Sequence, residues 1–232
     1  MCENLYKEFD DILDLRKLML QYAEDNYEML NNAVRDNTAE VKYGRDALYL
    51  GYFCPSLVLD KIAGGFKKGR LLKSIPKTNK RYVVYELDIN GKLLRIQSIN
   101  SYGTIFENYI IRKDNVEFGV NLFKGKKNSI VSSTRAIYDD GKISRFDIIG
   151  SSHMWSEVYS YDSNYPNKIK CKEYYYVPEL TGSDKSIPIG QPGSPMRLFE
   201  MEIEIDNNNN IIKIEHGEFI NGNTELTCVY MK

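Results

Sequence analysis

Imidazole is the side chain that most readily takes and gives a proton near neutral pH, and this chain has two, His153 and His216. His153 sits in Ser151-Ser152-His153-Met154-Trp155, and His216 in Ile214-Glu215-His216-Gly217-Glu218. Each lies in or beside a strand-like run. Neither is accompanied by the Gly-x-Ser-x-Gly elbow that presents a nucleophile, so both are read as structural. Zinc asks for paired ligands a few residues apart, and Glu215-His216-x-Glu218 is only a fragment of such a set. Asp114-Asn115 and Asp139-Asp140-Gly141 lack the spaced oxygens and closing glutamate of a calcium loop. Gly64-Gly65-Phe66-Lys67-Lys68-Gly69-Arg70 is glycine-rich and basic but does not follow the phosphate-loop pattern. The residues therefore specify no catalytic centre, no metal and no cofactor, and the chain is read as non-enzymatic.

Side chains suited to gripping a surface are more prominent. Trp155, Tyr159 and Tyr161 share one parity along a strand, and Tyr174-Tyr175-Tyr176 puts rings on both faces of the next. Lys168, Lys170 and Lys172 alternate with Ile169 and Cys171; Glu200, Glu202 and Glu204 alternate with Met201 and Ile203. Alternation of this kind makes one strand face charged and the other apolar. Rigid tyrosine and tryptophan carry much of the energy of protein–protein binding, and complementary charge speeds encounter. Trp155, Tyr159, Tyr161, Tyr174, Tyr176, Lys168, Lys170, Lys172, Glu200, Glu202 and Glu204 are the candidate protein-binding residues. The stretch Lys61–Arg81 carries eight Lys or Arg and no acid. It has few interleaved aromatics, so nucleic acid is not the expected partner. Plain solubility, or pairing with the acidic N-terminal helices, accounts for it.

These residues need a scaffold. Leu5, Phe9, Ile12, Leu13, Leu20, Ala23, Tyr27, Leu30 and Val34 recur at three- and four-residue steps, which predicts amphipathic helix over 3–36. A break is expected near Tyr22–Asn26 and an end at Asn37-Thr38. Ala47 to Phe53 is a short apolar run, read as strand or buried turn. Pro55 to Ile62 reads as a short helix stopped by Gly64-Gly65. From Arg81 onward strand-like runs alternate with turns: Asn90-Gly91, Asp114-Asn115, Asp140-Gly141, Asn164 to Asn167, and Asp206 to Asn210. Turn centres near 90, 115, 140 and 166 lie about 25 residues apart, enough for two strands and two turns. The next gap holds a Pro/Gly-rich loop, 178–196, read as an insertion. The expectation is an α+β fold. N-terminal helices over 1–80 cover one face of a large antiparallel up-and-down meander of roughly ten strands over 81–232, a curved sheet or open barrel whose other face is wet.

Bulk properties set limits. The chain has 232 residues, 42% of them apolar, with 18 tyrosines, which is enough to build a core and leans towards β structure. A net charge of −1 gives no general pull towards nucleic acid or membrane. No apolar run reaches the roughly 18 residues of a membrane helix, and the first residues lack the pattern of a secretory signal. Cys2, Cys54, Cys171 and Cys228 are scattered without a Cys-x-x-Cys pair, which suits a reducing, cytoplasmic setting.

The hairpins Tyr85-Glu86-Leu87-Asp88-Ile89-Asn90-Gly91-Lys92-Leu93 and Ala136-Ile137-Tyr138-Asp139-Asp140-Gly141-Lys142-Ile143 resemble the tyrosine-rich, Asp/Asn-Gly-Lys-punctuated repeats of YD-repeat and related bacterial surface and toxin-associated proteins. The overall make-up is similar to that of immunity proteins of bacterial polymorphic-toxin and contact-dependent inhibition systems. That resemblance implies a cytoplasmic protein without an active site whose partner is a cognate protein toxin, neutralised by occlusion. It transfers no functional residue. A small-molecule binder or hydrolase with a pocket gathering His153, His216, Glu157 or Glu202, and a structural repeat module, are the other expectations.

Overall fold

A computed structural model describes residues 2–45, 49–62, 69–76, 81–100, 103–123, 132–180 and 182–232. Helix α1 runs over Cys2–Asp25 and α2 over Tyr27–Asn37. Asn26 separates them at φ −108°, ψ 21°, off helical geometry. Thr38 ends α2: its N–H and its hydroxyl both donate to the Val34 carbonyl, at 2.9 and 2.7 Å. The Ala39 N–H then donates to the Leu87 carbonyl, so the chain passes directly from cap to strand pairing. The predicted break and end of the helical segment are both observed.

The contacts divide the chain into two compact units, Leu15–Arg135 and Met1–Asp14 with Ala136–Lys232. The division does not fall at residue 80, where the sequence changes character. In both units every described strand pairing is antiparallel and the arrangement is up-and-down; among the described residues it does not close. The fold is α+β, as expected.

In the unit Leu15–Arg135 the strands are β1 (Glu40–Arg45), β2 (Arg70–Leu72), β3 (Tyr82–Leu87), β4 (Leu93–Asn100), β5 (Gly103–Lys113) and β6 (Val116–Phe123), in the order β6-β5-β4-β3-β1-β2. Thus 38–80 is not wholly helical: β1 pairs with β3, and β2 pairs with β1. The predicted short helix is one turn, α3, over Leu59–Ile62, and Ser56 caps it by accepting the Leu59 N–H at 2.9 Å. Gly64-Gly65 and much of the basic stretch fall outside the described residues.

The expectation of one wet face fails in this unit, because both faces of the sheet are covered. On one face Tyr109, Val120 and Leu122 form a core with Ala23 and Val34 of the helices. On the other, Tyr85 is fully buried beneath Phe53, ring centroids 5.1 Å apart, and its hydroxyl accepts the Tyr52 N–H at 3.1 Å. Gly44 on β1 makes this possible, since a Cβ there would come within 2.6 Å of the Tyr85 ring. The 47–53 run is turn where it is described, a 3-10 turn over Gly51–Phe53, with Leu50 and Gly51 buried and Tyr49 and Tyr52 exposed.

The helix-covered face carries a buried ionic row. Arg95 on β4 lies between Glu86 on β3 and Tyr109 on β5. Its guanidinium donates to both Glu86 oxygens, at 2.5 and 2.9 Å, to the Asn31 side-chain oxygen of α2 at 2.6 Å, and to the Tyr109 hydroxyl at 3.3 Å. Glu107 accepts from Tyr27 of α2 at 2.9 Å and from Gln97 at 3.0 Å. Burial alone would weaken Arg95 as a cation, but these acceptors reverse that and raise its pKa.

The second unit contains β7 (Ser133–Asp139), which straddles the division, β8 (Lys142–Ile149), β9 (Met154–Tyr161), β10 (Lys168–Tyr176), β11 (Met196–Ile205), β12 (Ile211–Ile220), β13 (Asn223–Thr224) and β14 (Thr227–Met231). Their order is β13-β12-β11-β10-β9-β8-β7, with β14 also on β12. Among the described residues from 81 onward there are twelve strands against roughly ten expected, because the last segment turns again at Asn221-Gly222. Tyr6, Phe9, Ile12 and Leu13 of α1 pack on Ile149, Met154, Tyr176 and Met196. Beside them Arg145 pairs with the fully buried Asp147 at 2.8 Å and with Glu8, and lies over the Phe9 ring. The 178–196 loop holds the helix as well: the Tyr6 hydroxyl meets Ser194 Oγ at 3.1 Å, and Asp10 accepts from Tyr176 and Lys185, both at 2.6 Å.

The expected turns are present. Asp88, Asp162 and Asp206 each accept the backbone N–H two residues on, at 2.9, 2.8 and 2.9 Å. Asp140-Gly141 turns with positive φ at both residues, 48° and 75°.

Removing one partner from a buried ion pair strands the other charge, which costs on the order of 3–5 kcal/mol. Arg95→Ala is expected to destabilise the chain by about that amount in urea unfolding, and Tyr27→Phe by about 1 kcal/mol. Equal midpoints for Arg95→Ala and the parent would show that the row contributes nothing.

Candidate functional site

The candidate protein-binding residues lie on β9, β10 and β11, and strand register decides where each points. Lys168, Lys170 and Lys172 oppose Glu204, Glu202 and Glu200 across β10–β11. Six of the eleven are thus brought together on one exposed face. The charges are loosely paired: Lys168–Glu202 and Lys172–Glu200 each span 3.8 Å between exposed or half-buried side chains. Lys170 has no ion partner among the described residues. Glu200 is the most constrained, accepting the Thr224 hydroxyl at 2.7 Å.

At the end of this face the β9–β10 hairpin opens a groove of 530 Å³, lined by Ser160, Tyr161, Asp162, Tyr165, Lys168, Lys170 and Glu202. Tyr165, at the hairpin tip, is 60% exposed. Tyr161 lines the groove from the strand end although its register partner Ile169 belongs to the opposite face; its hydroxyl donates to the Ile143 carbonyl at 2.8 Å and its ring carries the Lys142 ammonium 5.1 Å from its centre. Sequence reasoning missed Ser160, a small polar residue of β9, and Tyr165, a turn residue without face parity. The Asn164-Tyr165-Pro166-Asn167 turn was the available signal, as it places an aromatic at a loop tip.

The other aromatics do not join this surface. Tyr174 and Tyr176 share the lysine parity, but α1 covers that end of β10. Phe9 meets Tyr174 edge-on at 5.5 Å, and Tyr176 is fully buried. Trp155 and Tyr159 point to the opposite face, where Tyr159 is 5% exposed. Tyr159 and Tyr176 are packing residues, and their rings cannot meet a partner while the strand is folded.

That opposite face holds a polar row. Glu157 on β9 lies directly across from Glu173 on β10, and Glu173 across from Phe199 on β11. Both glutamates are buried, at 0% and 2% exposure. Glu157 accepts the Trp155 indole N–H at 3.2 Å and the Tyr159 hydroxyl. Glu173 has no comparable partner, and its Oε2 is buried without a hydrogen bond. Burial, then the neighbouring Glu157 charge, push Glu173 up to about 8, with Arg197 pulling weakly the other way. Burial and the two glutamates likewise hold the Cys171 thiol well above its ordinary value. The signal for Glu173 was legible, because it continues the Ile169–Cys171 phase and so places an acid among apolar residues.

The histidines do not assemble a catalytic pair. The His153 ring lies in the β8–β9 turn, 6.4 Å from the Tyr175 ring, and Gly150 leaves room for it. His216 stacks flat on Phe199 at 5.1 Å, and burial lowers its pKa. No hydrogen bond links the two histidines, and Glu202 faces away from Glu157. Among the described residues no group of three His, Cys, Asp or Glu is placed to hold a metal, and no helix is long and apolar enough to cross a membrane. Cys54, Cys171 and Cys228 are free thiols. No family model, curated protein or solved structure matches the chain.

The raised Glu173 pKa fixes a pH dependence. Below about 4.5 both folded and unfolded chains hold the proton. Between 4.5 and about 8 the folded chain keeps a proton that the unfolded chain has lost, so stability falls as pH rises, and above that the loss is complete. The fall is on the order of a few kcal/mol. Glu173→Gln, always neutral, is expected to flatten this slope in urea titrations from pH 5 to 9. An unchanged slope would show that Glu173 ionises normally.

Proposed function

We propose that the chain is a non-enzymatic protein-binding protein that grips its partner through the exposed β9–β11 face and the hairpin groove. The observation carrying this reading is the ladder of three lysines against three glutamates, paired at 3.8 Å or not at all, ending at the exposed ring of Tyr165. Exposed pairs of this kind contribute only about 0–1 kcal/mol. They can be exchanged for contacts with a partner at little cost, while the strands beneath stay fixed. A rigid alternating pattern selects a surface of complementary spacing. In its sharpest form the protein is a cytoplasmic immunity protein that neutralises a cognate toxin by covering the toxin's active site.

The test is co-expression with the product of the neighbouring gene. A stable complex and rescue of growth are expected. Lys168→Glu/Lys170→Glu/Lys172→Glu together should slow association by about tenfold or more at low salt, and Tyr165→Ala should speed dissociation. No complex and no rescue would remove the toxin reading. A complex indifferent to all four substitutions would move the interface elsewhere.

A further inference from the structure

We propose that the buried row Glu157–Glu173, walled by Trp155, Tyr159 and Phe199, is a binding site for the primary ammonium group of a small organic amine. Five observations converge on that ligand. The Glu173 carboxyl is 2% exposed, yet its Oε2 meets no donor. A buried acceptor left without a donor is unfavourable, and a ligand N–H would satisfy it. Glu157, directly opposite, is held in place beside Glu173 by the Trp155 N–H and the Tyr159 hydroxyl. Trp155 and Tyr159 wall the row on the β9 side, and ring faces favour a cation stripped of water; the Phe199 ring on the β11 side already stacks with His216 and carries Arg197.

The fourth observation is that the nearest cation is already committed. Arg197, one register step from Phe199, donates to both Glu218 oxygens, at 2.7 and 2.8 Å. The fifth concerns access. The adjacent row, Trp155–Tyr175–Arg197, is the rim of the face: Tyr175 is 36% exposed and the Arg197 side chain 57%. Glu173 is the next residue inward from Tyr175 on that face of β10.

The chemistry selects within the cations. A quaternary ammonium has no N–H to give Oε2, whereas a primary ammonium has three. Among the described residues no third ligand completes a metal site. Binding also moves a proton. Glu173 is held neutral near pH 7 by burial and by Glu157. A bound ammonium restores its ionised form, so the neutral acid releases one proton to solvent as the ammonium–carboxylate pair forms. Affinity therefore rises with pH towards about 8 and levels off above it.

Trp155 is the only tryptophan in the chain and bonds Glu157 directly, so it reports on the site. The full-length protein would be titrated with n-propylammonium chloride, following Trp155 emission and, by calorimetry in buffers of different ionisation enthalpy, the proton released. A saturable emission change with proton release at pH 7 is expected. Tetramethylammonium at equal ionic strength should give neither. Glu173→Gln, verified as folded by near-ultraviolet circular dichroism, should bind at least tenfold more weakly. Glu28→Gln, exposed on α2, should bind as the parent does. Equal responses to the two cations, an unsaturable response, or unchanged affinity in Glu173→Gln would each overturn the site.

Discussion

The antiparallel ladder imposes one constraint from which the rest follows: a side chain's parity along its strand decides which face it serves, and chain-neighbour pairing carries that parity from strand to strand. Lys170 meets Glu202 and Ser160 because register puts them on one row; Cys171, one residue on, meets Met201 and Tyr159 on the other face. A slip of one residue anywhere between β9 and β11 would bury the lysines and expose Met201 and Ile203. The charged ladder and the buried row are thus two sides of one register, and neither can be changed without the other.

Parity alone does not decide burial. Lys168, Lys170 and Lys172 share a face with Tyr174 and Tyr176, yet the first three are exposed and Tyr176 is fully buried. The difference lies in what sits above. The first turns of α1 cover only the far end of β10, held there by Tyr6, Phe9 and Asp10 against the 178–196 loop. The loop that looks like an insertion in the sequence is part of the clamp that fixes where the helix ends its cover. It thereby sets the length of charged strand left open.

The sequence made legible those features that depend on near neighbours. Helical periodicity, the break at Asn26, the Asp-led turns and the alternation of β10 and β11 are all written within a few residues. What escaped depends on distant ones. Glu40-Val41-Lys42-Tyr43-Gly44-Arg45 alternates polar and apolar over only four residues before Gly44 ends the pattern; β3 offers it an edge, and Tyr85 needs the space over Gly44. Trp155 and Tyr159 read as surface aromatics because Ser156, Glu157 and Val158 between them give neither face a clear polarity. Only the partner strand resolves the choice: Lys168, Lys170 and Lys172 claim one face for solvent, which sends Ile169, Cys171, Glu173 and hence Tyr159 to the other. Turn residues such as Tyr165 belong to no face, and periodicity is silent about them.

The two buried charged rows show why one reads as architecture and the other as a site. Around Arg95 every group is answered: two oxygens of Glu86, the Asn31 amide and the Tyr109 hydroxyl surround the cation, and α2 supplies one of them. Such a row ties helix to sheet, and its completeness leaves nothing for a ligand to add. Around Glu157 and Glu173 the donors are shared unequally, with Trp155 and Tyr159 both given to Glu157 and none to Glu173. A row needed only for packing would be cheaper with an apolar residue at 173, continuing the Ile169–Cys171 phase. An acid kept there unanswered, one step inside an exposed rim, stabilises the fold less than leucine would. The donor it lacks is the one a bound ammonium would supply.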